Sequence, residues 1–256
     1  MKPLAIDAVA RRLPGRRIEY FDRIDSTMTE AARLENRGAP AGAAVVAEEQ
    51  TAGQGRHGHS WHSEAGSGLY VSVVLRPALS PDALPAMTLA LGLAAAEAMA
   101  RAADVACDLR WPNDLMLGER KCGGILAQLL DGGAAIAGIG INVNHAAFPV
   151  EIAELATSLR VETGRAHSRE DLLAELLPAV DRFVAMLTEA GPRPVLDLFA
   201  RRSSYAYGKR VRVDLPAGAV TGTTAGLDPH GFLRVRRDSD GSEILILAGG
   251  VRALGA

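Results

Sequence analysis

Between Arg110 and Leu126 the chain reads RWPNDLMLGERKCGGIL, the stretch that most narrows the folds open to it. Pro112 fixes φ, lacks an N–H and biases Trp111 away from helical geometry, so the β-prone run Val105–Arg110 must end there. Asn113 and Asp114 favour a turn and bring hydrogen-bonding groups of their own. Leu117-Gly118-Glu119-Arg120 reads as a hairpin loop, and the return strand carries Lys121, Gly123 and Gly124. If Val105–Arg110 pairs with Lys121–Leu130, Asn113, Asp114 and Lys121 come from neighbouring strand ends. They would then face a ligand that approaches the bare Gly123-Gly124 backbone. The plainer alternative is a tight turn with a core Trp and an exposed Lys. Against it, the chain has 28 Lys+Arg but only three Lys, at positions 2, 121 and 209. A Lys set among glycines in so Arg-rich a chain points to a need for a compact, flexible ammonium.

At 256 residues the chain suffices for one large domain, or one large and one small. Hydrophobic content of 48%, charged content of 23% and 27 Gly describe a globular protein. A net charge of −2 gives no global electrostatic argument for nucleic acid or an anionic membrane, although a local basic groove stays open. Cys107 and Cys122 form neither a C-x-x-C pair nor a disulfide framework, which fits a reducing compartment and a cytoplasmic location. The N-terminus has no continuous apolar run of the signal-peptide kind. The most apolar window, Ala86–Ala103, contains Glu97 and Arg101 and reads as a buried core helix.

Residues 2–13 suggest a short amphipathic helix, and no helix-turn-helix pattern for reading DNA is visible. Ile18–Arg23 is a strand leading to Asp25-Ser26-Thr27. Thr27-Met28-Thr29-Glu30 fits a capping box, predicting a helix to about Asn36 that stops at Gly38-Ala39-Pro40. Ser26 and Thr27 either cap alone or, with free N–H groups, offer a seat for a carboxylate, ureido or phosphate group. Gly42–Glu48 is a strand, and Gln50–Trp61 (QTAGQGRHGHSW) is a glycine-rich loop. Gly53, Gly55 and Gly58 spell G-x-G-x-x-G, but no helix opens there and the chain runs on into a strand, Leu69–Leu75. That excludes the dinucleotide reading, and the Walker A and kinase patterns fail as well. A mobile loop carrying Arg56, flanked by Gln50 and Trp61, suits closure over an anionic ligand. His57, His59 and His62 lack a carboxylate or Cys set at metal-site spacing, so they are left as loop side chains and the metal site as unknown.

Farther on, Ala134–Asn144 (AAIAGIGINVN) reads as a strand whose Gly138 and Gly140 leave room for a ligand or for tight packing, with Asn142 at its end. Pro149 to Gly164 is irregular or partly helical. Ser168-Arg169-Glu170-Asp171 caps a long helix to about Glu189 whose apolar stripe is core. After Gly191-Pro192-Arg193-Pro194 a last helix covers Val195–Arg202. The period then changes to two over Arg210–Leu215, Val220–Leu227, Phe232–Arg236 and Glu243–Leu247, separated by Pro216-Ala217-Gly218, Asp228-Pro229-His230-Gly231 and Asp238-Ser239-Asp240-Gly241. This predicts a small antiparallel barrel of about fifty residues, docked on the main domain.

Taken in order, Asp25-Ser26-Thr27, the Gln50–Trp61 loop, Arg110-Trp111-Pro112-Asn113-Asp114, Lys121 with Gly123-Gly124-Ile125, Gly138-Ile139-Gly140-Ile141-Asn142 and the barrel resemble the biotin–protein ligases. The resemblance spans almost the whole chain, and its specific part is Trp-Pro-Asn-Asp followed by Lys-x-Gly-Gly. It implies an α+β fold: a mixed sheet flanked by helices, with the biotinyl/lipoyl ligase, class II synthetase-like core, over residues 1–205, and an SH3-like barrel over 206–256. It implies ATP and Mg²⁺ as cofactors, biotin as substrate and the biotin carboxyl carrier domain of a carboxylase as protein partner. Neither DNA nor a membrane is expected to be a partner, and the form of the family without the DNA-binding extension is expected. The oligomer would be a monomer or homodimer.

Carried over by position, the resemblance places Ser26, Thr27 and Gln50 at biotin. Gly53, Gln54, Gly55, Arg56 and Gly58 form the closing loop. Lys121 meets the reacting carboxylate and α-phosphate beside Gly123, Gly124 and Ile125, while Asn113, Asn142 and Trp61 lie toward the nucleotide. Lys121, Arg56 and Asp114 would carry catalysis, with Asp114 orienting or accepting the proton of the acceptor lysine unless it only caps a turn. Three positions depart from the family pattern: Met28 for Asn, Gln54 for Arg and Arg110 for Lys. Rivals are a lipoate ligase or octanoyltransferase of the same fold, and a biotin-adenylate-binding regulator without transfer activity.

Overall fold

The computed structural model describes residues 2–77, 79–215 and 218–254, the Pro81 side chain aside. Its larger sheet has seven strands in the order β1 (Ile18–Ile24), β2 (Ala44–Gln50), β3 (Gly68–Leu75), β7 (Ala135–Asn142), β6 (Arg120–Leu129), β5 (Asp114–Leu117) and β4 (Asp108–Arg110). Only β1 and β2 are parallel, and helix α2 (Thr27–Asn36) makes the crossover that parallel neighbours require. The other neighbours are antiparallel, so the sheet is mixed, as expected.

Strand alternation sorts the apolar residues to two faces. Leu69, Val71 and Val73 of β3 and Ala137, Ile139 and Ile141 of β7 join the main core with α3 (Leu84–Ala103) and α5 (Arg169–Ala190). Val45, Val74 and Ile136 turn the other way and pack on Met28, Ala31 and Leu34 of α2. By length and composition α3 could cross a bilayer, but 13 of its 20 residues are buried, and it packs along α5 as the expected core helix. Each fully buried Leu or Met on that face contributes about 1.5–3 kcal/mol. Ser168 caps α5, its hydroxyl accepting from the Asp171 N–H.

One buried ion pair ties this scaffold together. Arg169, at the start of α5, donates to both Glu48 oxygens (2.8 and 3.2 Å) and to the carbonyls of Lys2 and Gly68. Glu48 also accepts from the Leu4 and Gly66 N–H groups and the Tyr20 hydroxyl. Burial alone would raise this carboxyl, but Arg169 and the Leu4 N–H hold it below its ordinary value. The N-terminal segment, β2, the entry to β3 and α5 therefore share one charged node.

The second sheet has five antiparallel strands, β11 (Glu243–Ile246), β10 (Leu233–Arg237), β9 (Gly218–Leu227), β8 (Tyr207–Leu215) and β12 (Gly250–Ala253), in that order. Helices α1 (Ile6–Arg12), α4 (Leu159–Thr163) and α6 (Pro192–Arg202) complete the chain. The sheets are joined near the central motif: the fully buried Trp111 donates its indole N–H to the Gly231 carbonyl at 2.9 Å. Gly231 has φ +94°, and a Cβ there would stand about 3.2 Å from the Ala86 N and from Leu196, so a side chain would lift this turn off α3 and α6.

Four expectations change. Val105–Arg110 and the Lys121 strand do not pair directly: β4 is only Asp108–Arg110, and Asp114 opens β5, which lies between β4 and β6. Asp114 is thus the first strand residue after a cis Trp111–Pro112 peptide. The Thr27–Glu30 capping box does not form, because Ser26 is the N-cap and Glu30 is drawn to Arg33 and Arg37 instead. The barrel has a fifth strand, β12, which is too short and too glycine-rich at its start to show period two. Of the turn expected at Pro216-Ala217-Gly218, the first two residues lie outside the described residues.

Candidate active site

On the α2 face of the sheet, beyond the N-terminus of α2, Gly124, Gly138 and Gly140 stand in neighbouring strands. A cavity of about 300 Å³ opens there. Thr27 and Gln50 on its wall are held by a chain of hydrogen bonds: Ser72 donates to the Thr27 hydroxyl (2.8 Å), and Thr27 donates through hydroxyl and N–H to the Gln50 carbonyl (2.9 and 2.8 Å). The Gln50 amide donates to Ser63 (2.9 Å). Met28 and Leu126 line the cavity as apolar walls, and Val71 and Ile139, whose side chains belong to the main core, border it. Polar groups converging in an apolar cleft define a small-molecule site.

A second cavity, about 460 Å³, adjoins it. Trp61, Asn113, Asp114, Lys121, Gly249 and Gly250 line both, so Lys121 stands on a shared wall. Its Nζ is 2.5 Å from Asp114 Oδ1 and 5.4 Å from the centroid of the Trp61 ring. Arg110 holds the other Asp114 oxygen with Nη2 and Nε, at 2.7 and 3.1 Å. With one oxygen on each cation, Asp114 is arranged to position Lys121. Asn113 crosses to β6, its amide donating to the Ile125 carbonyl at 2.9 Å and its carbonyl accepting from Arg56 at 3.4 Å. Asn142 lines the second cavity, with its amide on the Thr157 carbonyl.

The glycine loop is folded as a hairpin. Gln54 and Ser60 bridge, the Gly55 N–H reaches the His59 carbonyl, and Arg56–Gly58 makes one 3-10 turn with His57 at φ +56°. Arg56 comes back over the first cavity; burial lowers its pKa and nearby Asp114 raises it. Gln54 faces α2 and donates to Thr29 at 3.4 Å, while Gly55 lines the cavity.

Not every expected residue reaches a wall. Ser26 is fully buried with its hydroxyl unpartnered, and neither cavity is lined by Ser26, Gly53, Gly58 or Gly123. The glycines expected to admit a ligand make room for the protein's own side chains. A Cβ on Gly140 would sit 2.6 Å from the Trp61 ring, and one on Gly138 would sit 2.5 Å from Met28 Sδ. A Cβ on Gly124 would come within 3.2 Å of Lys121 and Trp61, and one on Gly123 within 2.7 Å of Leu115. Ile125 lines the first cavity. Ser63, Ser72, Tyr70 and the pair Gly249-Gly250 were not foreseen. The Gly-Gly dipeptide is the one visible signal: Gly250 pairs with Asp214 of β8, and the pair shares the cavity walls with Asn113, Asp114 and Lys121, more than a hundred residues away in sequence.

Behind Trp61 lies a further group. The buried His145 ring faces His62 and is stacked on Phe148 at 5.2 Å. Burial pushes its pKa down to about 4, so the imidazole is neutral at pH 7.

This architecture, with two cavities meeting at one lysine, is that of an acyl-activating ligase core, and the chain belongs to the biotin/lipoate A/B protein ligase family, whose model matches residues 20–144. Residues 207–251 match the biotin protein ligase C-terminal domain, which sets the chain on the biotin side of that family. The biotin–[acetyl-CoA-carboxylase] ligase of Paracoccus denitrificans is 34% identical over 84% of this chain and 92% of its own length. The bifunctional ligase/repressor BirA of Bacillus subtilis is 34% identical over 86% of this chain and 69% of its own. The biotin protein ligase of Aquifex aeolicus, solved with biotin and ATP, superposes with a TM-score of 0.82 at 32% identity, covering 93% and 99% of the two chains.

Proposed function

We propose that the protein activates biotin with ATP to biotinyl-5′-AMP and transfers the biotinyl group to a lysine of a biotin carboxyl carrier domain. The observation that carries this reading is Lys121 on the wall common to two cavities. The first suits biotin, with an apolar body against Met28 and Leu126 and polar ends against Thr27 and Gln50. The second suits the nucleotide, with Asn113, Asn142 and Trp61 on its walls. A carboxylate in one and an α-phosphate in the other meet at the ammonium.

In the first step a biotin carboxylate oxygen bonds to the α-phosphorus and pyrophosphate leaves with the electron pair of the broken P–O bond. Both reactants are anionic, so a fixed cation between them lowers the barrier where charge is greatest. Lys121 is that cation, and Asp114 with Arg110 fixes its position. In the second step the neutral acceptor amine attacks the mixed-anhydride carbonyl and AMP departs. The proton the amine sheds as the C–N bond forms passes to the departing AMP phosphate or to water, and Asp114, its charge engaged by two cations, orients the approach. The hairpin carrying Arg56 screens the adenylate from water.

For Mg²⁺ the donor set fits. This ion takes few protein ligands and mostly phosphate oxygens, and Glu119 is a carboxylate on the second cavity with no ion pair among the described residues. When bound it supplies charge neutralisation on the departing phosphates.

Purified protein incubated with ATP, Mg²⁺ and biotin should yield biotinyl-5′-AMP by mass spectrometry. Adding a carrier-domain fragment should then mark one lysine. Adenylate without transfer would support a regulator, and adenylate with lipoate or octanoate but not biotin would move the chain to the sister activity.

A further inference from the structure

We propose that His62, Glu64 and His145 form a binding site for one divalent transition-metal ion of the zinc class, at the edge of the second cavity, which His62 also lines. One ligand atom from each of the three lies within 4.8 Å of the other two, and this is the one such group among the described residues. The loop histidines His57 and His59 take no part. Two imidazoles and a carboxylate suit zinc and its first-row neighbours rather than Mg²⁺ or Ca²⁺. Tetrahedral bonds near ~2.1 Å place ligand atoms roughly 3.4 Å apart. The gap closes by rotation of the exposed Glu64 and half-buried His62, with His145 as the fixed point.

His145 supplies a second, independent observation. Its side chain is fully buried and its Nδ1 has no hydrogen-bond partner. Its other nitrogen, Nε2, is 3.2 Å from the Tyr70 hydroxyl. That hydroxyl also reaches the Glu64 carbonyl, which can only accept, at 3.1 Å, so the arrangement that satisfies both contacts has Nε2–H as the donor to Tyr70. In that tautomer the lone pair on Nδ1 is free. A histidine whose N–H is anchored by a neighbour, leaving the opposite nitrogen bare, is in the state a metal ligand requires. Phe148 stacks on the ring, and the Ser158 hydroxyl donates to the His145 carbonyl at 2.7 Å, which holds the donor in place. An ion here would clasp the chain leaving the glycine loop to the end of β7.

Chelator-stripped protein titrated with Zn²⁺ against a chromogenic chelator should bind one ion per chain, and Zn²⁺ should raise Tm. His62→Ala and Glu64→Gln, both at accessible positions, should each weaken binding by at least about 100-fold. That matches or exceeds the 10–100-fold cost of losing a mere supporting partner. Far-UV circular dichroism should be unchanged, and Zn²⁺ should no longer shift Tm. Absence of stoichiometric binding overturns the proposal. So does binding that survives both substitutions, or binding that is abolished by His57→Ala/His59→Ala but kept in Glu64→Gln.

Discussion

At the scale of single residues, the site rests on the sharing of Asp114 between Arg110 and Lys121. Without Lys121 the reacting anions lose the one ammonium on the common wall, while Asp114 keeps Arg110. Lys121→Met should therefore cut adenylate formation by at least about 100-fold, the usual cost of removing one charge-stabilising donor. Its circular dichroism should match the parent. Near-normal adenylate in that variant would remove Lys121 from the chemistry. Gly140 makes a second residue-level test. Its α-hydrogen faces the Trp61 ring, and a methyl group cannot be placed 2.6 Å from those atoms. Gly140→Ala should displace Trp61 and cost about 1–3 kcal/mol in urea unfolding. Unchanged stability with unchanged ligand affinity would show the ring to be free to move. The importance of Lys121 was legible from the rarity of lysine and its glycine neighbours. What fills the space over Gly138 and Gly140 was not, because it depends on tertiary packing that brings Met28 and Trp61 onto β7 from 110 and 79 residues away.

Among the elements, the glycine-loop hairpin and the Glu48–Arg169 node do different work. The hairpin is held by few backbone bonds and two long side-chain contacts, Arg56–Asn113 and Gln54–Thr29, so it can open at small cost. Arg56→Gly should leave adenylate formation in place and let the intermediate escape to solution several-fold faster, as measured by its release before acceptor is added. Leakage equal to that of the parent would deny the hairpin its screening part. The node beneath is rigid and buried, with side-chain exposures of 6% and 8%. Glu48→Gln leaves Arg169 charged without its counter-ion and should cost about 3–5 kcal/mol. Because the folded Glu48 pKa is lowered, its contribution is complete at neutral pH. It fades as pH falls from the ordinary carboxylate range through the lowered value. The parent's urea midpoint should drop over that interval, and the drop should be smaller in Glu48→Gln. Strand and helix identities followed from period and caps, β4 within the longer run Val105–Arg110; β5 and β12 did not, since one follows directly on the Trp-Pro-Asn turn and the other opens on a glycine pair.

For the whole molecule, the C-terminal sheet is part of the site: Gly249 and Gly250 line both cavities, and Gly231 accepts the Trp111 N–H. The order of motifs made the fold class legible, but not this shared wall, because nothing local in a glycine pair names its distant neighbours. The chain has two tryptophans, and the structure gives them opposite surroundings. Trp111 is sealed in the junction between sheets at 2% exposure. Trp61 lies where the cavities meet, under the Lys121 ammonium, its own indole N–H without a partner. The protein thus carries a built-in optical reporter and a built-in reference. A Trp111→Phe variant would leave emission from Trp61 alone, so the filling of each cavity could be followed as a change in colour and intensity without any attached dye.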